Sequence, residues 1–263
     1  TINLDSNPTI TNLTPQGSGG DVSVDEDDLL ASRGAGEAAG SDTSKESTTQ
    51  GGTFTITAGD GVDDLTIGGN AFITNGVFTA GSFTTALGNT LSVTAYNAGT
   101  GVVSYTYTLL DNEAHAAANG ENALFENFAV HLTDTDTGVA DSTLSVRIVD
   151  DVPTAEADVD KTTSGTANGN VILGTGMTGG VADIAGADGL ASPAVVGVST
   201  SAGSITDGTG VGGVVASAKG TLTLGADGAF TYTKTDAEAT GTDTFYYTII
   251  DKITVTLNER RDV

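Results

Sequence analysis

One stretch, Thr143–Pro153, constrains the fold of this chain more than any other. In its first half, apolar residues alternate with small or polar ones, at Leu144, Val146 and Ile148. This period-two pattern is typical of a half-buried β-strand. The strand must end at Pro153, because proline donates no ladder hydrogen bond and disfavours helix in the residue before it. Asp150 and Asp151 directly precede this end, so we predict a domain junction carrying a cation site. The alternative is an ordinary acidic strand terminus.

The charge of the chain is strongly negative and bears on its partners. There are 9 Lys and Arg against 34 Asp and Glu, a net charge of −25 at pH 7. Such a surface repels phosphate backbones and anionic lipids, so we expect neither a nucleic-acid partner nor membrane insertion. Bound divalent cations would relieve the repulsion, and carboxylate oxygens are the ligands that Ca²⁺ prefers. The alternative is that the acidity serves solubility alone.

Length and composition indicate two β-rich modules. The chain has 263 residues, more than one typical domain. Glycine is abundant at 37 residues, tryptophan and cysteine are absent, and this mixture favours strands joined by tight turns. Without disulfides, small β modules need another source of rigidity. The sequence has no apolar run of about 18 residues for a membrane span, and its first residues do not resemble a signal peptide.

Alternating segments recur along the chain as expected of an antiparallel sandwich. The predicted strands of the first half are Thr53–Thr57, Leu65–Ile67, Thr90–Ala95, Val102–Leu110 and Phe125–Leu132. Turns rich in Gly, Asp and Asn separate them. After Pro153 the predicted strands are Val171–Leu173 and Val195–Val198, in a less regular region, and a final strand at Ile253–Leu257.

The second half repeats the sequence pattern of the first. Tyr105–Asp111 aligns with Phe245–Asp251, and each segment has aromatic residues two apart and a terminal aspartate. Such repetition indicates similar modules in series. We therefore predict an all-β chain of two tandem antiparallel β-sandwich modules joined by a short acidic linker. Residues 1–19 are a preceding linker or terminal strand, 20–152 the first module and 153–263 the second.

Signals for catalysis are weak. The two histidines, His115 and His131, stand neither in a metal-binding spacing nor beside a recognisable nucleophile motif. Gly174–Gly179 fits the loose dinucleotide-binding pattern, but no predicted helix follows it to receive a pyrophosphate. Thr-x-Thr runs, which suit a flat ice-binding face, do not recur at a solenoid period. We predict that the protein is not an enzyme.

Acidic clusters indicate calcium instead. Asp134, Asp136 and Asp141 place carboxylates around one turn, without the helices or the terminal Glu of an EF-hand. The Gly-Gly-x-Gly-x-Asp nonapeptide of β-roll proteins is nowhere intact. The favoured arrangement is a site at the linker, where Asp150 and Asp151 meet acids of both modules. The predicted Ca²⁺ ligands are Asp25, Glu26, Asp134, Asp136, Asp141, Asp150, Asp151, Asp158, Asp160 and Asp188.

Several of these motifs together resemble one family. Ile148–Ala155, preceded by Tyr105–Leu109 and the Asp134-x-Asp136 turn, is similar to the repeat modules of giant RTX-type adhesins, which Gram-negative bacteria export by type I secretion. Val22–Leu29 resembles the opening strand of those modules. The second half resembles the bacterial cadherin-like repeats of the same proteins, at Asn170–Val171, Gly186–Gly189, Gly220–Leu222, Asp227–Gly228 and Asp243–Tyr247.

The resemblance implies immunoglobulin-like or cadherin-like sandwiches, calcium at the junctions and a spacer role. We therefore expect a non-catalytic, calcium-rigidified extender at the extracellular surface of a Gram-negative bacterium, where it supports cell adhesion and biofilm formation. Its partners would be neighbouring repeat modules of the same chain, with host or biofilm ligands as further partners. In one departure, Ile253 directly follows Asp251-Lys252, where the family continues with an acidic Asp-Gly-Asp turn. That departure weakens the case for a cation at this turn.

Two other functions stay open. In the first, one module itself binds a glycan or peptide. The expected binding loops are then Arg33–Gln50 and Asp111–Asn122. The absence of tryptophan argues against a glycan site. In the second, the chain is a subunit of an extracellular filament or surface layer.

Overall fold

The computed structural model describes residues 6–30, 39–42, 48–115, 121–162, 165–236, 238 and 240–251. The first of two compact units contains the described residues up to Asp150 except 39–41, and the second contains 39–41 and the described residues from Asp151 onward. Regular structure is almost entirely β, with short 3-10 helices at Gln16–Ser18, Glu26–Asp28 and Ala202–Ser204. No helix in the described part of the chain has the length and apolar character needed to cross a bilayer.

Two sheets make up the first unit. Its strands are β1 (Thr9–Thr11), β2 (Val22–Asp25), β3 (Thr49–Thr57), β4 (Val62–Ile67), β5 (Asn70–Thr74), β6 (Val77–Phe78), β7 (Gly81–Thr84), β8 (Thr90–Asn97), β9 (Val102–Thr108), β10 (Ala123–Asp134) and β11 (Val139–Val149). One sheet has the order β1-β3-β9-β8-β7 and the other β2-β11-β10-β4-β5-β6. Neighbouring strands are antiparallel except β2 and β11, which run parallel.

Alternation of burial is clearest on β9 and β10 and explains why these segments form strands. On β9 the inward residues are Val103, Tyr105 and Tyr107, and on β10 they include Phe128, Val130 and Leu132. Successive side chains of a strand point to opposite faces, so one apolar row per strand covers the inside of each sheet. These rows remove their side chains from water, which is the main stabilising contribution to such a fold.

Aromatic rings connect the two sheets of the first unit. Phe83 on β7 meets Phe128 on β10 edge-to-face, with ring centroids 5.8 Å apart, and Tyr107 on β9 lies 6.4 Å from the same ring. Phe78 on β6 lies 6.2 Å from Tyr96 on β8. Each pair joins a strand of one sheet to a strand of the other. The predicted all-β sandwich architecture is therefore confirmed.

One buried hydrogen bond between the two sheets allows this packing to be tested. The Tyr107 hydroxyl donates to Glu126 Oε2 at 2.7 Å, and both residues are buried. Tyr107→Phe should destabilise the first unit by about 1–3 kcal/mol, because it leaves a buried carboxylate oxygen without its donor. Tyr96→Phe is the matched control, since the Tyr96 hydroxyl has no hydrogen-bond partner among the described residues. Equal losses of unfolding free energy in the two variants, measured by hydrogen exchange of β9 and β10, would contradict this.

A smaller pair of sheets forms the second unit. Its strands are β12 (Thr166–Asn170), β13 (Leu190–Ser199), β14 (Val214–Ala216), β15 (Gly220–Leu224), β16 (Ala229–Lys234) and β17 (Tyr246–Asp251). Four strands pair in the order β12-β16-β15-β14, and β13 pairs with β17. The core joins Val195 and Val198 of β13 to Leu222 and Leu224 of β15.

Two local expectations differ from the structure. Val171–Leu173 is a turn rather than a strand, because the side chain of Asn170 accepts the Leu173 amide hydrogen at 2.9 Å and bends the chain away from an extended path. Strands β5, β6 and β7 lie between predicted strands, in a segment where short runs interrupted by glycine give no clear alternation. The predicted strand Val195–Val198 lies within β13. The predicted final strand, Ile253–Leu257, lies outside the described residues.

Candidate metal centres

The inward rows of β10 and β11 end in carboxylates. On β10 the row that contains Phe128 and Leu132 continues to Asp134, which is 1% exposed. On β11 the row that contains Ile148 continues past the end of the strand to Asp150, which is 7% exposed. The two carboxylates lie at opposite ends of this hairpin, about 40 Å apart at the usual rise of a strand. Each belongs to a separate group of side chains that could hold a metal ion.

The first group, which we call the turn cluster, consists of Asp60, Asp134 and Asp136. One oxygen of each carboxylate lies within 4.8 Å of the others. Asp60 comes from the turn between β3 and β4, Asp134 is the last residue of β10, and Asp136 lies in the turn between β10 and β11. Backbone contacts hold these turns together: the Thr135 amide donates to the Gly61 carbonyl at 3.1 Å, and the Thr135 hydroxyl to the Asp60 carbonyl at 2.6 Å.

Asp134 is the unusual member of the turn cluster. Its Oδ1 accepts the Gly138 amide hydrogen at 2.6 Å, whereas its buried Oδ2 has no hydrogen-bond partner among the described residues. A buried carboxylate oxygen without a partner costs free energy. Glycine leaves space beside this oxygen, since a Cβ at position 138 would lie 2.5 Å from it. The site is therefore suited to a bound cation.

Ser6–Pro8, directly before β1 and here called the strand-entry segment, also reaches the turn cluster. The Ser6 amide and hydroxyl donate to Asp60 Oδ2 at 3.3 and 3.4 Å. A Cβ at Gly138 would also lie 2.9 Å from Pro8 Cδ. Two turns and the strand-entry segment thus meet at these three carboxylates.

The second group, the histidine cluster, consists of Glu26, His115 and Asp150, again with ligating atoms within 4.8 Å of one another. His115 Nε2 lies 3.1 Å from Glu26 Oε1. The side chains are 3% exposed for His115 and fully buried for Glu26. Asn122 connects the other two members, because its Nδ2 donates to Asp150 Oδ2 at 2.8 Å and its Oδ1 lies 3.0 Å from His115 Nδ1.

Negative charge raises pKa values around the histidine cluster. Burial of the ring lowers the pKa of His115, but the hydrogen bond to Glu26 and the charges of Glu26 and Asp150 outweigh it and raise the pKa to about 9. Nearby, burial together with the charges of Glu26 and Glu126 raises the pKa of Glu113 to about 7, against the opposing hydrogen bond from Asn89. The Glu113 amide donates to Glu26 Oε1 at 2.7 Å. A cation is favoured in such surroundings.

The other predicted ligands lie outside both groups. Asp25 caps the 3-10 helix after β2 by accepting the Asp27 amide hydrogen at 3.2 Å. Asp141 pairs across the hairpin with His131 at 2.6 Å and is exposed. Asp151 accepts both the amide and the hydroxyl of Ser41. The shared calcium site at the linker stays a prediction.

In the second unit, the predicted ligands bind backbone amides of neighbouring loops. Asp158 Oδ1 accepts the Val181 amide hydrogen at 2.9 Å, and Asp160 accepts that of Thr178 at 3.0 Å. Asp188 lies in the turn closed by the bond from the Gly189 amide to the Gly186 carbonyl. Asp183, which sequence reasoning missed, accepts the Tyr247 hydroxyl at 2.8 Å. None of these residues belongs to a three-ligand group among the described residues.

Sequence reasoning also missed Asp60 and His115 as partners of the predicted acids. Asp60 is 74 residues from Asp134, and His115 is 89 residues from Glu26, so spacing along the chain carries no signal. The loops expected to hold a glycan or peptide site fall partly outside the described residues, at 31–38, 43–47 and 116–120.

No protein-family model matches the chain, and no curated protein sequence matches it at a significant level. The resemblance to adhesin repeats therefore rests on the sequence motifs alone.

Proposed function

We propose that this chain is a non-catalytic, calcium-stabilised extender segment of a secreted bacterial surface adhesin. The observation that carries the proposal is the Asp134 carboxylate, buried and with one oxygen lacking a hydrogen-bond partner among the described residues. Two further carboxylates, of Asp60 and Asp136, converge on the same place. A site that holds three acids together with one of them buried is favoured when a cation binds.

The donor chemistry of the turn cluster suits Ca²⁺. Its ligands are carboxylate oxygens, and Ca²⁺ takes six to eight oxygens in flexible geometry. Asp60, Asp134 and Asp136 would hold the ion, and exposure of Asp136 leaves room for water ligands. Neither nitrogen nor sulfur belongs to the group, so it has no feature that selects a softer metal.

The mechanical consequence follows from what the turn cluster joins. A cation there would fix the β3–β4 turn, the β10–β11 turn and the segment around Ser6 to one another. Pulling on the strand-entry segment would then load the ion contacts as well as the hydrogen bonds of β1. A chain of such modules would resist extension in the presence of Ca²⁺ and so hold a binding module away from the cell.

The remaining parts of the proposal rest on the sequence. The net charge of −25 is in keeping with a calcium-rich extracellular medium. Resemblance to RTX-type repeats supports export by type I secretion, a location at the surface of a Gram-negative bacterium and a role in adhesion and biofilm formation. Neighbouring modules of the same chain would be its direct partners.

Calcium titration tests the proposal on the whole chain. At a hundredfold excess over its dissociation constant, a ligand specific to the folded state stabilises by about 2.7 kcal/mol, and this should raise the melting temperature of the first unit by about 8 °C relative to a chelated sample. Asp136→Asn should abolish the increment because it removes one ligand. Asp141→Asn removes the same charge from the same hairpin and should keep the increment.

Single-molecule pulling separates an extender from a protein that merely binds calcium. The force needed to unfold the first unit should rise with Ca²⁺ in the unmodified chain and stay constant in Asp136→Asn. A Ca²⁺ response that survives Asp136→Asn, or no response in the unmodified chain, would overturn the proposal.

A further inference from the structure

We propose that the histidine cluster is a site for a divalent first-row transition metal of the zinc class, bound by His115 Nε2 and by carboxylate oxygens of Glu26 and Asp150. It uses different residues from the turn cluster, and all its members belong to the first unit. The proposal is therefore independent of the proposed calcium function.

The hydrogen-bond partners of the His115 ring fix the position of one of its hydrogens. Asn122 Nδ2 donates to Asp150, which identifies the other amide atom facing His115 as the oxygen. An amide oxygen only accepts, so His115 Nδ1 must carry a hydrogen. In the neutral ring, Nε2 then carries no hydrogen and presents its lone pair to Glu26 Oε1, 3.1 Å away. Two buried acceptors at that distance repel each other, so either a proton or a metal ion must lie between them.

A proton and a metal ion would make different contacts at His115 Nε2. A proton on Nε2 bridges the His115–Glu26 pair only. Three donor atoms from three side chains, however, converge within 4.8 Å of one another. Zinc–nitrogen and zinc–oxygen bonds of about 2.0–2.2 Å place neighbouring tetrahedral ligands about 3.4 Å apart, close to the 3.1 Å between Nε2 and Oε1. Only small movements are needed to close the site around one ion.

Asn122 has the role that supporting residues have in metal sites. A ligating histidine usually donates its second ring N–H to an oxygen acceptor, which fixes the tautomer and orients the ring. Asn122 accepts from His115 Nδ1 and at the same time orients Asp150. The Glu113 amide likewise holds Glu26 Oε1, at 2.7 Å. Each ligand is thus positioned by a second contact.

The mixed donor set decides the class of metal. Calcium and magnesium take oxygen ligands, whereas imidazole nitrogen suits zinc and its neighbours in the first transition row. One nitrogen and two carboxylates give a net charge of −2 when the ring is neutral, and a divalent ion balances it. Water or another donor would complete the coordination.

Imidazole NMR tests the proposal without any variant. The chain has only two histidines, so His131 is an internal control. In the metal-free whole chain, added Zn²⁺ should shift the His115 Nε2 resonance and complete the change at one equivalent, while Nδ1 keeps its hydrogen and His131 is unaffected. Failure of His115 to respond, or a response of both rings only at excess zinc, would show a proton-bridged pair with surface binding and overturn the proposal.

The contribution of each residue to Zn²⁺ affinity can be measured with variants that compete against a chromophoric zinc chelator. His115→Gln should weaken Zn²⁺ binding at least about 100-fold, and Asn122→Ala about 10–100-fold, the range found for supporting residues. His131→Gln should stay within twofold of the unmodified chain. Equal affinities of His115→Gln and His131→Gln would contradict the assignment. If His115→Gln does not fold, the NMR titration of the unmodified chain still decides.

Calcium provides the last discrimination. Ca²⁺ at millimolar concentration should leave the His115 resonances unchanged, even where it raises the melting temperature through the turn cluster. Equal shifts with Ca²⁺ and Zn²⁺ would overturn the assignment of a zinc-class site. Loss of the calcium response in Asp136→Asn with Zn²⁺ binding intact would support two separate sites.

Discussion

A Gly101→Ala variant is expected to lose about 3 kcal/mol of unfolding free energy in the first unit, from one added methyl group. Gly101 lies in the turn between β8 and β9 with φ +72°, a left-handed conformation that L-residues adopt at a cost. A Cβ there would overlap the backbone carbonyl oxygen of Ile56 on β3. Relief of the overlap would require the turn to move away from β3, which breaks the 2.9 Å bond from the Ile56 amide to the Gly101 carbonyl.

Gly69→Ala is the matched control for this prediction. Gly69 also has a left-handed conformation, at φ +78°, but a Cβ there meets no atom within 4 Å. It should lose only about 1 kcal/mol, the cost of the conformation alone. Because the chain contains two units, unfolding of the first is best measured by hydrogen exchange of peptides from β3 and β9. Equal losses in the two variants would show that contact with Ile56 is unimportant.

The strands of the sandwich could be predicted where an apolar row of period two is long. Two predicted strands match the structure well because each has an uninterrupted alternation. The prediction Val102–Leu110 contains β9, and Thr53–Thr57 lies within β3. β6 has only two residues and gives no periodic signal. The parallel pairing of β2 with β11 also could not be predicted, since it joins segments more than 120 residues apart. Such pairings depend on tertiary packing rather than on local sequence.

Part of the candidate sites could be predicted from parity, meaning whether a residue number is odd or even, because residues two apart on a strand face the same side. Asp134 has the same parity as Phe128 and Leu132, and Asp150 the same as Ile148. These two acids were therefore identifiable as inward-facing continuations of an apolar row. Asp141 has the opposite parity to Leu144, in keeping with its exposed position. Odd or even position thus separates Asp134 and Asp150 from Asp141 on the regular part of the hairpin. It fails beyond the strand ends, where Asp151 is buried and Asp136 is exposed.

The partners Asp60 and His115 could not be found in this way. Asp60 lies in a turn, where there is no strand parity, and His115 lies beyond the end of β9 in a segment without regular structure. Only the folded chain brings them to Asp134 and Asp150. The sequence alone therefore indicated the acidic character of the sites but not the nitrogen donor that distinguishes one from the other.

Phe128→Ala should lose about 3–5 kcal/mol of unfolding free energy in the first unit. Phe128 is 6% exposed and contacts Phe83 and Tyr107 of the opposite sheet. Its removal leaves a cavity where the two sheets meet, and Phe83 loses its edge-to-face contact while Tyr107 loses a tilted one. Phe125→Ala, on the other face of the same strand and partly exposed, should lose only about 1 kcal/mol.

Phe128→Ala also separates core stability from cation binding. Phe128 is six residues from Asp134 along β10, about 20 Å at the usual strand rise, so its loss should leave the turn cluster intact. Phe128→Ala should therefore lower the melting temperature of the chelated chain while Ca²⁺ still adds its full increment. Asp136→Asn should do the reverse, with a nearly unchanged starting temperature and no increment. If Phe128→Ala removed the calcium increment as well, the turn cluster would depend on core packing rather than on its own carboxylates, and the calcium argument would fail.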